Sequence, residues 1–289
     1  MLGHLEHGKT LLSKSVLSIL PDISFDEACE LTKIYSVFGK LKSGQIVNKR
    51  PFRMPHHTIS TAGMTGGGKK PRVGEITLAH FGVLYLDELA EFKKDTLESL
   101  REPLEDKKVT ITRTNYVIEF PSNFMLLASM NPCPCGFYGS KNNECKCTET
   151  QRKKYFHKIS GPFLDRIDLK VEVPDVEYKK ISGGDNDKRE KSVDVKKRVN
   201  NARRVQIERY KNDNIVSNSE LTSDLIKKFC KIDNQASMLL EQAYYKFNLS
   251  VRGYNKILKI ARTIADLDGE KEINTKHIVE AIQYRCGRD

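Results

Sequence analysis

No run of this 289-residue sequence stays apolar for the length of a membrane span, and no charged-then-apolar leader opens it. The expectation is a soluble, cytoplasmic protein with no membrane partner. Acidic residues are in deficit: 38 Asp and Glu against 49 Lys and Arg leave a net charge of +11 and a pI near 9.2. That imbalance favours a polyanionic partner such as nucleic acid, although nucleotide-binding proteins are often basic for other reasons. The length allows two domains, or one domain with a sizeable appendage.

Glycine is scarce where it is most expected. Gly3-His4-Leu5-Glu6-His7-Gly8-Lys9-Thr10 has the spacing of a phosphate-binding loop. In such a loop backbone N–H groups wrap the phosphates, the lysine reaches the terminal ones and the hydroxyl, here Thr10, holds Mg²⁺. Gly3 and Gly8 frame the loop, but Glu6 stands where most such loops carry a third glycine. There a carboxylate faces the phosphates and a Cβ meets strained backbone angles. A buried strand is also missing: only Met1 and Leu2 precede Gly3, so the first strand reads as truncated and the chain as a fragment. Downstream, Leu12, Val16, Ile19 and Leu20 are spaced for one face of a helix opened by the loop.

Cysteine is thinly spread outside one cluster. Cys29, Cys230 and Cys286 are scattered and read as reduced, packed thiols. Cys133 and Cys135, with Cys145 and Cys147, form two close pairs that suit tetrahedral Zn²⁺, although Cys-x-Cys is tighter than the usual finger spacing. The alternative is four reduced thiols in a loop.

Ser24-Phe25-Asp26-Glu27 is a capping box that opens a short helix ending near Gly39. From Lys40 to Gly74, Pro51, Pro55, Pro71 and the Gly66-Gly67-Gly68 run beside Lys69, Lys70 and Arg72 read as a long loop, either functional or merely solvated. His56 and His57 are neighbours whose side chains should point apart, which argues for structural or hydrogen-bonding roles over a shared metal. Phe81-Gly82-Val83-Leu84-Tyr85-Leu86-Asp87-Glu88 fits a strand buried on both faces that ends in two carboxylates at the ligand-binding edge of a parallel sheet. Asp87 would hold Mg²⁺, and Glu88 would orient and deprotonate an attacking water. Without the upstream loop the same residues would read as a buried strand followed by an acidic helix start.

Helical pattern runs from Phe92 to about Leu104, followed by a hairpin, Val109–Arg113 and Tyr116–Phe120, turning at Thr114-Asn115 with a basic edge of Lys107, Lys108 and Arg113. A third buried strand, Phe124–Met130, ends at Asn131, where a polar group beside the loop positions the attacking water. Val171 and Val173 mark a short final strand. Ser192 to Tyr210 reads as a highly charged helix of the solvated kind. The remainder is helical, over Leu225–Cys230, Ala236–Phe247, Val251–Leu267 and Lys276–Arg285, with Ser250 and Thr275 as caps and Gly269 as a stop.

Several of these stretches together resemble the magnesium-chelatase-like AAA+ ATPases of the YifB/ComM family: Pro55-His56-His57-Thr58, Pro71-Arg72-Val73-Gly74-Glu75-Ile76, Gly82–Leu89, Met130-Asn131-Pro132-Cys133-Pro134-Cys135-Gly136, Leu164–Leu169, Ser250–Tyr254 and Ala261–Leu267. The resemblance implies an α/β P-loop AAA+ core with a parallel sheet over residues 1–175, a basic helical linker over 176–214 and a C-terminal α-helical lid over 215–289. It implies Asn131 as sensor 1, Arg166 as an arginine finger for the neighbouring subunit and Arg252 as sensor 2. ATP and Mg²⁺ are the implied ligands, a homohexamer the implied assembly, and a DNA motor for recombination or transformation the implied role. The rival expectations are a chelatase motor that drives metal insertion into a porphyrin and a non-hydrolysing remnant, the latter favoured by Glu6 and the truncated strand.

Overall fold

The computed structural model describes residues 2–3, 8–42, 44–68, 72–113, 116–140, 143–173 and 190–287. Glu6 and its loop neighbours, Lys69, Lys70 and Pro71, the Thr114-Asn115 turn, the side chain of Arg113 and the part of the expected linker before residue 190 lie outside the described residues. The chain divides into two compact units, one of residues 1–17, 22–166 and 172–187, the other of 18–21, 167–171 and 188–289.

The first unit is α/β. Its strands are β1 (Leu2–Gly3), β2 (Phe52–Arg53), β3 (Gly66–Gly67), β4 (Arg72–Val73), β5 (Val83–Leu86), β6 (Lys108–Arg113), β7 (Tyr116–Pro121), β8 (Met125–Ala128) and β9 (Glu172–Val173). The run at 83–86 carries one polar group, the Tyr85 hydroxyl, which Asp87 and Ser129 satisfy, and it becomes β5, buried at every position in the middle of a parallel sheet of order β2-β5-β8. Gly82 is needed just before it, because a Cβ there would meet the Pro51 carbonyl oxygen at 2.0 Å. The first strand, expected to be truncated, has two residues here, and Leu2–Gly3 pairs in parallel with Glu172–Val173.

Helices α1 (Lys9–Ser15), α2 (Phe25–Val37), α3 (Thr61–Thr65), α4 (Glu75–Leu78), α5 (Lys94–Glu98), α6 (Arg101–Asp106), α7 (Glu149–Phe156) and α8 (Gly161–Leu164) complete this unit. The expected capping box forms: Ser24 Oγ accepts from the Glu27 N–H while Glu27 accepts from the Ser24 N–H. The apolar face expected of α1 does not form. The helix gives way to a 3₁₀ turn at Val16–Ser18, its buried residues are Lys9 and Ser13, and Leu12 stays exposed. Polar bonds of Lys9 and Thr10 to the ends of β5 and β8 fix which side faces inward. The segment read as a loop from Lys40 to Gly74 is more ordered, with β2, α3 and the antiparallel β3–β4 pair. The continuous helix expected after Phe92 is broken into α5 and α6, while the 108–121 hairpin pairs as expected, Arg113 opposite Tyr116. Lys108 on its basic edge is paired with Glu119 at 2.7 Å.

The second unit is helical: α9 (Ser192–Tyr210), α10 (Ser223–Phe229), α11 (Asn234–Lys246), α12 (Val251–Leu267) and α13 (Thr275–Cys286). Leu240, Ile257, Ala261, Ala265 and Ile278 form its core. Ser250 caps α12 as expected and Gly269, at φ 75°, follows its end. The cap of α13 is Asn274 and not Thr275; its backbone N–H donates to His277 Nδ1 at 3.1 Å. The charged helix α9 is not solvated all round, because Ala202, Gln206 and Tyr210, spaced by four, are buried. Among the described residues no helix is long and apolar enough to cross a membrane.

Asp266, fully buried on α12, organises this unit. It accepts from Gln206 Nε2 at 3.2 Å, Asn218 Nδ2 at 2.9 Å, Arg209 Nη1 at 2.9 Å and Arg262 Nε at 3.1 Å. Arg262, 2% exposed, also donates to the Glu270 and Lys271 carbonyls. Removing one partner of such a network strands the others without solvent, so Asp266→Ala should lower the unfolding free energy by about 3–5 kcal/mol. Urea unfolding followed by helical circular dichroism tests this against Lys211→Ala, which breaks an exposed pair with Glu208 and should leave the midpoint in place. Equal midpoints for both variants would remove Asp266 from this role.

Candidate nucleotide site

Parallel strands release their C-terminal residues at one edge of a sheet. In β5 these are Asp87 and Glu88; in β8 they are Ser129, Met130 and Asn131. Gly8, at φ 67°, turns the chain into α1 in a conformation that favours glycine. The helix then places Lys9 Nζ 2.7 Å from Asn131 Oδ1 and 3.4 Å from the Met130 carbonyl, and Thr10 Oγ1 3.0 Å from Asp87 Oδ2. Five of the expected site residues, Lys9, Thr10, Asp87, Glu88 and Asn131, thus meet in one place.

The strand register Leu86 to Ala128 sets Asp87 opposite Ser129. Ser129 Oγ donates to Asp87 Oδ1, Tyr85 Oη lies 3.0 Å from the same oxygen, and the Glu88 N–H donates to it at 3.1 Å. Burial disfavours the Asp87 charge, but the bonds from Ser129, Tyr85 and Thr10 outweigh it and hold the carboxyl below the usual carboxylate range. Burial pulls the Lys9 ammonium pKa down, opposed by Asp87 and Glu88. Glu88 has left-handed backbone angles, φ 52° and ψ 53°, in which a side chain is strained, and its own side chain remains 54% exposed. His57 Nδ1 stands 3.5 Å from Glu88 Oε2. The expectation that His56 and His57 point apart is corrected, since their rings lie 4.1 Å centre to centre.

The donor set fits Mg²⁺ and a nucleotide: a hydroxyl and a carboxylate 3.0 Å apart are hard oxygen ligands, with a lysine ammonium beside them. Gly3 sits in β1, at the other end of the loop whose central residues lie outside the described ones.

Arg166 donates to the Pro162 carbonyl at 2.7 Å and pairs with Glu105 at 2.8 Å. Arg252 is exposed in the first turn of α12, within the helical unit.

Two residues beyond Asn131 the chain enters the cysteine cluster. Cys133 Sγ lies 3.3 Å from Cys135 Sγ and 3.6 Å from Cys145 Sγ, and all four sulfurs, with that of Cys147, lie within 4.8 Å of one another. Thiolates about 2.3 Å from a tetrahedral Zn²⁺ stand about 3.8 Å apart, so the four sulfurs fit such an ion. Burial and the neighbouring sulfur push the Cys133 thiol up to about 12, while a backbone N–H from Phe137 helps bring Cys135 down to about 6.

Sequence reasoning did not single out Tyr85, Ser129 or Tyr155, nor place His57 beside Glu88. The first two carried a readable signal, as polar residues two positions before Asp87 on β5 and directly after β8. Tyr155 is buried on α7 in contact with the Asn131 backbone, and burial and Glu91 push its pKa up to about 12. Its position depends on how the chain returns from the cysteine cluster, which no local pattern encodes.

A parallel sheet that gathers Lys9, Thr10, Asp87 and Asn131 at one edge, followed by a separate helical unit, defines an AAA+ core with a helical lid. Residues 1–181 match the family model for magnesium chelatase, subunit ChlI, and residues 189–285 the model for its C-terminal part. The chain is 41% identical to the uncharacterized protein YifB of Escherichia coli K12, over 99% of this chain and 55% of that protein. It is 40% identical to the competence protein ComM of Haemophilus influenzae, over the same shares, and 40% identical to YifB of Salmonella typhimurium. The chain belongs to the magnesium-chelatase-like family, in its YifB/ComM branch, and spans about half the length of the curated relatives it matches.

Because Asp87 is held below its ordinary pKa, it contributes stability that is present above the unfolded carboxylate value and lost as pH falls through the lowered one. Ser129→Ala removes one of the bonds responsible. The variant should therefore melt below wild type at neutral pH, and the gap should close as both are acidified; a gap independent of pH would show that Ser129 acts by packing alone.

Proposed function

We propose that this chain is the ATP-hydrolysing part of a cytoplasmic AAA+ ring motor of the YifB/ComM type that acts on DNA, in branch migration or unwinding during recombination or natural transformation. The observation that carries the reading is the meeting of Lys9, Thr10, Asp87 and Asn131 at one sheet edge, with Glu88 one residue beyond. Mg²⁺ bound with ATP neutralises phosphate charge. Thr10 and Asp87 would hold that ion, and Lys9 would exchange its bond to Asn131 for the terminal phosphate, freeing the amide to orient water. Glu88, its carboxylate reaching solvent next to His57, takes the proton from that water. Gly3 and Gly8 frame the loop.

Arg166 is proposed to act in trans within a homohexamer, leaving Glu105 for the phosphate of the adjacent subunit, and Arg252 to sense nucleotide from the lid. In this reading residues 1–175 are the core, 176–214 the linker and 215–289 the lid. The four cysteines hold a structural Zn²⁺. A chelatase subunit is the second reading, favoured by the family model's description; the identity to a competence protein, the basic charge and the cysteine cluster support DNA instead.

Glu88→Gln should keep nucleotide binding and lose turnover by at least about 100-fold, because the amide keeps the shape and cannot accept the proton. Unaltered turnover in that variant excludes Glu88 as the base, and binding without turnover in the wild type favours the non-hydrolysing remnant. Elemental analysis of protein purified reduced and with zinc should find about one metal per chain, bound by sulfur at about 2.3 Å. Metal-free protein under those conditions would sink the zinc assignment.

A further inference from the structure

Beside the cysteine cluster lies a cleft of about 350 Å³ lined by Tyr138, Glu149, Arg152, Lys153, Phe156 and His157. Two aromatic side chains are left in solvent on its walls, Tyr138 at 50% exposure and Phe156 at 38%. Neither is loosely hung. The Tyr138 backbone N–H donates to Cys133 Sγ at 3.3 Å, and Phe156 follows the buried Tyr155, whose ring it meets edge-on at 6.0 Å. Arg152 is fixed by a bond to the Cys147 carbonyl at 2.7 Å, and its guanidinium lies over the Tyr138 ring at 4.4 Å. The cysteine cluster thus anchors both the ring and the cation that cover one wall.

The charge around the cleft narrows what it can receive. Residues 144–158 carry Lys146, Arg152, Lys153, Lys154 and Lys158 against Glu144 and Glu149, and Glu149 already pairs with Lys153. A guanidinium lying over Tyr138 repels a cationic guest, which excludes an ammonium cage. An acidic peptide would use the cations and leave the solvent-exposed surfaces of Tyr138 and Phe156 uncovered. A flat, neutral ring on an anionic backbone uses both, and this pairing of stacking platforms with cations is how single strands are held without regard to sequence. In a duplex the bases already stack on one another and cannot enter.

We propose that the cleft between Tyr138 and α7 receives an unpaired base of single-stranded DNA, with Arg152, Lys153 and Lys154 facing the phosphates beside it. The proposal rests on the DNA reading above and locates a contact surface for it outside the basic hairpin. It also places the base one side chain from the nucleotide site, because α7 turns Tyr155 inward against the Asn131 backbone and Phe156 outward to the cleft.

The test uses the full chain, a fluorescein-labelled oligothymidylate and the duplex of the same length, with anisotropy read at several salt concentrations. Tyr138→Ala and Phe156→Ala should each weaken single-strand binding about tenfold. Tyr138→Phe should bind as wild type, since the stacking face survives. The dependence of affinity on salt should be unchanged in all three, because no phosphate contact is lost. Lys153→Gln with Lys154→Gln should flatten it. Equal metal content and circular dichroism across the variants keep misfolding out of the comparison. An oligothymidylate carrying 5-iododeoxyuridine should photocrosslink to the peptide that contains Tyr138. Wild-type affinity in both alanine variants, or equal losses for duplex and single strand, overturns the cleft while leaving the DNA reading in place. A wild-type chain that binds neither probe overturns both.

Discussion

A lysine ammonium drawn out of water is the constraint on which the first unit depends. Lys9 is about nine-tenths buried, and desolvation of a cation is tolerable only with polar partners at short range. Asn131 and the Met130 carbonyl at the end of β8 supply them, and Asp87 and Glu88 at the end of β5 supply opposite charge. Satisfying Lys9 therefore pins α1 to two adjacent strands at once. Strand ends that would otherwise fray are held in register, and the register in turn puts Ser129 across from Asp87.

The same strand end explains why the cysteine cluster sits where it does. Asn131 is the last residue that faces the sheet edge, and Cys133 begins a compact excursion that returns through α7 to lay Tyr155 against the Asn131 backbone. The tip of β8 is thus braced from both sides, by Lys9 and by the returning helix. Four sulfurs lie within 4.8 Å of one another in that excursion, and a Zn²⁺ held between them would give it a rigid base without a large apolar core of its own.

How legible this was in the sequence depended on how local the cause is. Val83–Leu86 read correctly as a buried strand because four apolar residues in a row admit few other solutions, and the capping residues Ser24 and Ser250 read correctly because a cap is decided within three residues. That Lys9, Thr10, Asp87, Glu88 and Asn131 come together follows from motif and strand position. What failed was decided by tertiary contact: the face α1 buries is set by Lys9 and Thr10 and overrides its leucines, and the one buried side of α9 is set by Asp266 on a helix some sixty residues later. His57 beside Glu88 follows from how the 54–60 segment crosses the sheet edge, which neighbouring residues do not reveal.

Asp266 collects donors from α9, from the turn at Asn218 and from its own helix, while Arg262 ties the same point to the carbonyls of residues 270 and 271. Each of these groups is satisfied only while the others keep their charge and reach. The helical unit consequently cannot drift through sequence space one residue at a time at this point: Arg209, Asn218, Arg262 and Asp266 have to be retained as a set or exchanged as a set, and an apolar replacement becomes tolerable only when all the polar partners go together.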